Sequence, residues 1–190
     1  MPRGIVGLIL AAGAGHRFGG NKLMHPLPDG TPMAITAALN LKPACDHVVA
    51  IVKPDDDQLA NALANAGCEL IRCPDADQGM GHSLAAGVRA TEHAAGWIVA
   101  LGDMPFITTA SHQAVATRLR EGASLVATQC QNRRGHPVGF ANVWFEELSA
   151  LTGDQGARTI LAQHSSELIL CIVEDPGVLR DIDRPVDLAL

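Results

Sequence analysis

The sequence predicts a three-layer α/β fold: a mostly parallel central sheet with helices on both faces. Three observations carry this. Apolar runs of strand length alternate with helix-like stretches, and that order builds parallel sheets. Most of the runs are continuous rather than alternating, as expected of strands buried on both faces. The intervening stretches have the apolar spacing and the end residues of ordinary helices.

In order, the first run is Ile5–Ala11, rich in Ile, Val and Leu and ending in a glycine-rich loop. A cleavable signal would have a similar length, but the composition and the loop better fit a buried first strand. His47–Val52 follows as the second run. The spacing predicts a helix over Gln58–Ala66, with Leu59, Leu63 and Ala66 on one face. Acids at Asp55–Asp57 and Gly67 just past the end suit the helix dipole and the C-cap. Cys68–Cys73 is the third run. A helix over Gly81–His93 puts Leu84 and Val88 in line with Met80. Trp97–Leu101 is the fourth run, and the helix Thr108–Arg120 after it pairs Val115 with Leu119. Beyond about residue 122 the alternation is less regular. Leu125–Cys130 and Leu168–Val173 read as strands. Arg133–Phe140 reads either as a further strand or as an irregular excursion. No repeat, linker or low-complexity segment interrupts residues 1–190, so a single domain is expected.

Composition narrows the function classes. The 190 residues carry 14 Lys and Arg against 20 Asp and Glu, a formal charge of -6. That balance argues against a nucleic-acid partner, and 3% aromatics without Tyr leave few stacking platforms. No apolar run approaches the ~20 residues of a membrane span. The five cysteines, at 45, 68, 73, 130 and 171, are odd in number and contain no Cys-x-x-Cys. This is the pattern of reduced thiols in a cytoplasmic protein, and it offers no zinc spacing.

Ligands of open parallel sheets bind outside the carboxyl ends of the strands. Two places satisfy that rule. The first is the loop Leu10-Ala11-Ala12-Gly13-Ala14-Gly15-His16-Arg17-Phe18-Gly19-Gly20-Asn21-Lys22. Its small residues let backbone N–H groups form an anion nest, and Arg17 and Lys22 add two cations, which suits a polyphosphate. It is not a dinucleotide fingerprint, because Phe18 stands at the third glycine position. It is not a Walker A loop either, because Asn21 stands where the lysine belongs. A dinucleotide-dependent oxidoreductase therefore fails at Phe18. The second place is Gly102-Asp103-Met104-Pro105. A carboxylate at a strand end beside a phosphate loop is a natural Mg²⁺ ligand. Near the C-terminus, Asp181-Ile182-Asp183-Arg184-Pro185-Val186-Asp187-Leu188 places Asp181 and Asp183 on one side of an extended segment.

The first loop, Leu-Ala-Ala-Gly-x-Gly-x-Arg-Phe-Gly-x-x-Lys, resembles that of the nucleotidyltransferases sharing the glycosyltransferase-A-like, Rossmann-like fold of nucleotide-diphospho-sugar transferases. Gly-Asp-Met-Pro resembles their metal motif. Gln78-Gly79-Met80-Gly81-His82-Ser83-Leu84 resembles their Gly-Met-x-x-Ser-Leu segment near the base and ribose. Arg134-Gly135-His136-Pro137-Val138-Gly139-Phe140 and Gly153-Asp154-Gln155-Gly156-Ala157-Arg158 resemble two further segments, the first shaping the second-substrate side. The C-terminal string resembles the closing motif of molybdenum cofactor nucleotidyltransferases, with Arg184 replacing the common Thr. The strings occur in the family's order over nearly the whole chain.

The resemblance implies a Mg²⁺-dependent transfer of a nucleotide from CTP to molybdenum-bearing molybdopterin, with release of pyrophosphate. It implies Arg17, Lys22 and Asp103 as catalytic residues, and Asp103 and Asp183 as metal ligands. Leu10, Ala11, Ala12, Gly13, Ala14, Gly15, Arg17, Lys22, Gly79, Gly81, Ser83 and Asp103 would bind the nucleotide. His136 and Arg158 are placed on the acceptor side. Residues 1 to about 122 would hold the nucleotide, and about 123–190 the acceptor. Ala11-Ala12-Gly13 matches the cytidylyltransferase branch, where the guanylyl branch has Ala-Gly-Gly. Guanylyl transfer to the same cofactor, and transfer to another phosphorylated acceptor, remain as alternatives. A non-catalytic carrier or chaperone for a molybdoenzyme is an alternative of another class. A molybdoenzyme or its chaperone is the expected protein partner.

Overall fold

The computed structural model describes residues 4–13, 18 and 21–188. Seven strands form one sheet in the order β3-β2-β1-β4-β6-β5-β7. The strands are β1 (Ile5–Leu10), β2 (His47–Val52), β3 (Glu69–Arg72), β4 (Gly96–Leu101), β5 (Leu125–Cys130), β6 (Arg133–Ala141) and β7 (Leu168–Ile172). β1 pairs in parallel with β2 and β4, β2 with β3, and β5 with β7. Only β6 runs against its neighbours, β4 and β5. The three-layer, mostly parallel sheet expected from the sequence is therefore the observed one.

The run at the N-terminus is continuous because β1 has a core on each side. Ile5 and Ile9 belong to one apolar cluster, with α1 (Met33–Leu41), α2 (Asp57–Asn65) and α4 (Thr109–Arg120). Val6, Leu8 and Leu10 belong to the other, with α3 (Met80–Ala90), α5 (Phe145–Ser149) and α6 (Arg158–Gln163). Side chains alternate across a strand, so an uninterrupted apolar run feeds both layers. Gly7 has its own reason: a Cβ there would meet Leu41 at 2.8 Å and Cys45 Sγ at 2.9 Å.

Helix α2 starts where expected, since the Asp56 side chain accepts from Leu59 N at 3.1 Å. Its end is marked by Gly67 at φ +84, the left-handed conformation that glycine adopts without strain. Thr108 caps α4 in the same way, accepting from Ser111 N at 3.4 Å. Helix α1 has no counterpart among the stretches read from the sequence. Six of its nine residues are buried, so it shows no polar face to mark the helical period.

The irregularity beyond residue 122 has a structural cause. β5 and β6 form a hairpin whose two turn residues, Gln131 and Asn132, have φ values of 50 and 59. Both central residues of such a tight turn need positive φ. The register then shifts between Ala127 and Thr128: Ala127 faces Val138, while Thr128 faces Gly135. The bulge holds His136 and Pro137, and the buried Thr128 hydroxyl donates to the His136 carbonyl at 2.7 Å. Arg133–Phe140 is thus a strand, interrupted by a bulge. All five cysteines are free thiols, four of them buried. Burial pushes the Cys45 thiol up to about 12, with Asp46 adding to the shift and Arg120 opposing it. Among the described residues no helix is long and apolar enough to cross a membrane.

Candidate functional site

The carboxyl ends of β1 and β4 lie side by side, with Leu10 opposite Leu101. The chain leaves β1 through Ala11, whose N–H donates to Ile51 O at 2.9 Å, and leaves β4 through Gly102, whose N–H donates to Leu10 O at 3.0 Å. A cavity of about 770 Å³ opens above these ends. That volume lies within the range of ordinary small-molecule sites.

Lys22 stands on the cavity wall in a single 3-10 turn, Lys22–Met24. Its side chain is only 8% exposed, yet it carries a charge. Nζ donates to Asp103 Oδ2 at 2.8 Å and to Asp183 Oδ1 at 3.1 Å. Burial alone would pull the lysine pKa down, but the two carboxylates outweigh it and hold the ammonium above its ordinary value. Asp103 follows β4, and Asp183 comes from the C-terminal segment. Their side chains are 26% and 45% exposed, so both reach the cavity and solvent.

The C-terminal segment is strapped down from several directions. Ile182, fully buried, donates its N–H to the Asp103 carbonyl at 3.0 Å. Asp187 Oδ2 accepts from Asp183 N at 3.0 Å and from Arg184 N at 2.7 Å. Arg180 donates to the Asp187 carbonyl and lies 4.3 Å from the centre of the Phe106 ring. Further back, the buried Asp175 carboxylate accepts from Thr108 N, Thr108 Oγ1, Ser111 Oγ and Gly177 N at 2.6–3.0 Å. These hydrogen bonds overcome the effect of burial and keep the Asp175 pKa below its ordinary value.

The expected nucleotide loop is only partly described. Leu10, Ala12 and Gly13 line the cavity. Ala11 turns into the opposite core cluster. Ala14, Gly15 and Arg17 lie outside the described residues. Among the described residues, none lies within 4 Å of where a Cβ on Gly13 would sit.

At the start of α3, Gly79 and Ser83 line the cavity but Gly81 does not. Gly81 serves a close approach instead. Its N–H donates to Gly153 O at 2.7 Å, and a Cβ there would lie 2.6 Å from Thr152 O. Gly79, at φ +127, would place a Cβ 2.3 Å from the Gly153 carbonyl carbon. Gly153 N donates to His82 Nδ1 at 3.3 Å. Two motifs separated in sequence thus pack backbone to backbone, and the loop brings Asp154 to the cavity. Met80 is not the inward partner of Leu84 and Val88; it is 44% exposed and also lines the cavity.

His136 sits in the β6 bulge, near enough to Asp103 to feel its charge, but does not line the cavity. Its Nδ1 is buried and has no hydrogen-bond partner. Burial lowers its pKa, opposed by the nearby Asp103 carboxylate, the Val99 backbone and Asp181, while Arg134 adds to the lowering. Arg158 opens α6, is exposed, and does not line the cavity. Lys53 and Asp77, paired at 2.5 Å, and Asp154 are cavity residues that sequence reasoning did not single out. Lys53 follows the carboxyl end of β2, so the strand-end rule would have found it.

Two carboxylates can bind a hard divalent cation, and nearby backbone N–H groups and lysines can hold phosphates. The Asp103–Asp183 pair already accommodates a positive group between its oxygens. Among the described residues no group of three or more His, Cys, Asp or Glu is clustered for a metal. The site therefore fits an ion that takes one or two carboxylates and completes its shell with phosphates and water.

Comparison with known proteins identifies the family. The chain is 30% identical over 192 residues to the purine catabolism protein PucB of Bacillus subtilis, covering 95% of this chain and 92% of PucB. It is 33% identical over 190 residues to nicotine blue oxidoreductase of Paenarthrobacter nicotinovorans, covering 94% and 92%. The crystal structure of Rv0371c from Mycobacterium tuberculosis superposes with a TM-score of 0.84 at 25% identity, over 100% of this chain and 97% of that one. Rv0371c has also been solved as a manganese complex, which superposes at 0.75 with 22% identity over 91% and 89%. Residues 7–168 match the model of the MobA-like NTP transferase domain. The chain belongs to that family and is a nucleotidyltransferase of the glycosyltransferase-A-like fold.

Proposed function

We propose that this nucleotidyltransferase joins CTP to molybdenum-bearing molybdopterin, releasing pyrophosphate and giving the cytosine dinucleotide cofactor. The Lys22–Asp103–Asp183 cluster on the wall of the cavity carries the reading. It gathers one cation and two carboxylates from three distant parts of the chain.

Asp103 and Asp183 would hold Mg²⁺. Held there, the ion would supply charge neutralisation for the reacting phosphates. The acceptor phosphate needs no general base, because the second pKa of a phosphate monoester is ~6 and the group is already mostly dianionic at neutral pH. The protein's task is to position two anions and offset their charge. Lys22 would engage the triphosphate and the departing pyrophosphate. Arg17 and Gly13–Gly15 join it on the strength of the motif, and Gly79 and Ser83 flank the ribose. Ala12, buried in the cavity wall, narrows the base end by one methyl group relative to glycine and so favours cytosine over guanine. One such contact is worth about 1–3 kcal/mol.

Residues 123–190 would form the acceptor side. The unpartnered Nδ1 of His136 supports a role in orienting the acceptor. Arg158 would act at the outer rim. The product would pass to a molybdoenzyme or its chaperone in the cytoplasm, a setting supported by five free thiols.

Pyrophosphate release with Mg²⁺ and molybdenum-loaded molybdopterin tests the reading, comparing CTP, GTP and ATP with Asp103→Ala alongside. CTP-dependent release that the variant loses is expected. A GTP preference would overturn the reading of Ala12. No release from folded protein with any nucleotide would overturn the acceptor or the transfer itself.

A further inference from the structure

Lys22 holds the space between the two carboxylates that a metal ion bridging Asp103 Oδ2 and Asp183 Oδ1 would occupy. Its ammonium touches one oxygen of Asp103 and one of Asp183, and it is nearly removed from solvent. A divalent ion held at the ~2.0–2.1 Å typical of Mg²⁺ carboxylate bonds cannot share that gap with a lysine ammonium. Like charges repel strongly in a partly buried site. For an ion to bridge these two oxygens the lysine has to move aside, and another anion within reach favours that move. Lys22 itself lines the cavity that also holds Gly13, Gly79 and Ser83, whose backbone and hydroxyl groups suit phosphate oxygens.

We propose that Lys22 is a resident cation that withholds the metal site from free divalent ions and yields it when a polyphosphate draws the ammonium away. The inference rests on the metal-dependent reading of Asp103 and Asp183 and adds a rule for loading it. Nucleotide and metal then bind with positive coupling, and linkage makes the coupling reciprocal. A protein without nucleotide carries little metal, so the carboxylate pair is not occupied by whichever divalent ion is abundant. Delivery of the lysine and assembly of the metal site become one event, timed by the substrate.

The test measures Mn²⁺ alone, by the electron paramagnetic resonance of the free ion, on intact protein without nucleotide. Lys22→Met and Lys22→Gln are compared with wild type and with Asp103→Asn. The methionine variant keeps much of the side chain's bulk without the charge, the shorter glutamine keeps a hydrogen-bonding group without it, and thermal melts identify any variant that has not folded. Mn²⁺ binding at least 10-fold tighter in either folded lysine variant, and abolished when Asp103→Asn is added, is the expected result. Equal affinity in wild type and both lysine variants, still dependent on Asp103, would overturn the withholding role while leaving the metal site intact. Binding of Mn²⁺ that ignores Asp103→Asn, or no binding in any folded protein at millimolar Mn²⁺, would overturn the metal site itself and the inference with it.

Discussion

Ile182 donates its backbone N–H to the backbone carbonyl of Asp103 at 3.0 Å. This bond joins the extended segment carrying Asp183 directly to the loop carrying Asp103, and the ties through Asp187 and Arg180 hold the segment there. The Lys22 ammonium then reaches a carboxylate on each. The relative position of the two acids is therefore set by main chain, not by the flexibility of either side chain.

Asp187 is the second fastener of that segment. Asp187→Ala would leave the N–H groups of Asp183 and Arg184 without their shared acceptor. A loss of about 1 kcal/mol in stability is expected, as for other capping carboxylates. A fall in kcat/KM of about 10-fold would follow from a loosened Asp183. Thermal melts and pyrophosphate release check both, and Asp187→Asn should recover part of each.

Gly79→Ala tests the backbone packing between α3 and the 152–156 loop. Its Cβ would overlap the Gly153 carbonyl, and its φ of +127 is unfavourable for alanine. Destabilisation of about 2–3 kcal/mol is expected from overpacking and strain. Nucleotide affinity should fall too, because Asp154 and Gly79 share the cavity wall. Equilibrium denaturation and nucleotide titration measure the two effects.

The Asp175 carboxylate ties the start of α4 to the segment leading into the C-terminal strap. Asp175→Ala leaves four donors without their acceptor and should cost about 3 kcal/mol or more. Its folded pKa lies below the ordinary carboxylate value. The stabilisation is therefore complete above the unfolded pKa and is lost as pH falls through the folded one. In wild type, denaturation should show an acid-limb loss below about pH 4 that the variant lacks.

His112 governs a different pH window. It is buried in α4, and burial lowers its pKa to about 4, with Asp175 opposing the shift. Its Nδ1 has no partner. A histidine with a depressed folded pKa stabilises the protein above its unfolded value of 6.5, and that contribution declines as pH falls from 6.5 toward 4. The decline should reach about 2 kcal/mol by pH 5. His136 shifts in the same direction and adds to it. Denaturant melts at pH 7.5 and pH 5 should show the loss in wild type and a smaller one in His112→Phe.

The parallel half of the fold was legible because each of its strands feeds two apolar layers and shows as an uninterrupted run. Leu10, Asp103 and the cavity beside them follow from strand ends. Helix α1 was not legible, because Met33–Leu41 is apolar on most sides and carries no period. Hairpin β5–β6 was ambiguous, because Gln131-Asn132 is a weaker turn signal than a glycine pair and the bulge breaks the alternation after it. The lysine bridge was beyond sequence reasoning for another reason. Lys22, Asp103 and Asp183 were each marked as binding residues, but their mutual contact depends on the Ile182–Asp103 bond and the Asp187 fastener, which no local pattern encodes. Lys53 and Asp77 are ordinary surface residues until the fold gathers them, and Asp154, within the Gly-Asp-x-Gly-Ala-Arg string, carries no local signal that it faces the cavity.

The strap has a consequence for what any one part of the chain can do alone. Lys22 is separated from Asp103 by 81 positions and from Asp183 by 161. No short segment holds the cluster, so its cation and its two carboxylates exist as a centre only when all three regions are folded in one molecule. A cut between them that lets the pieces part would dissolve the centre without touching any of its residues.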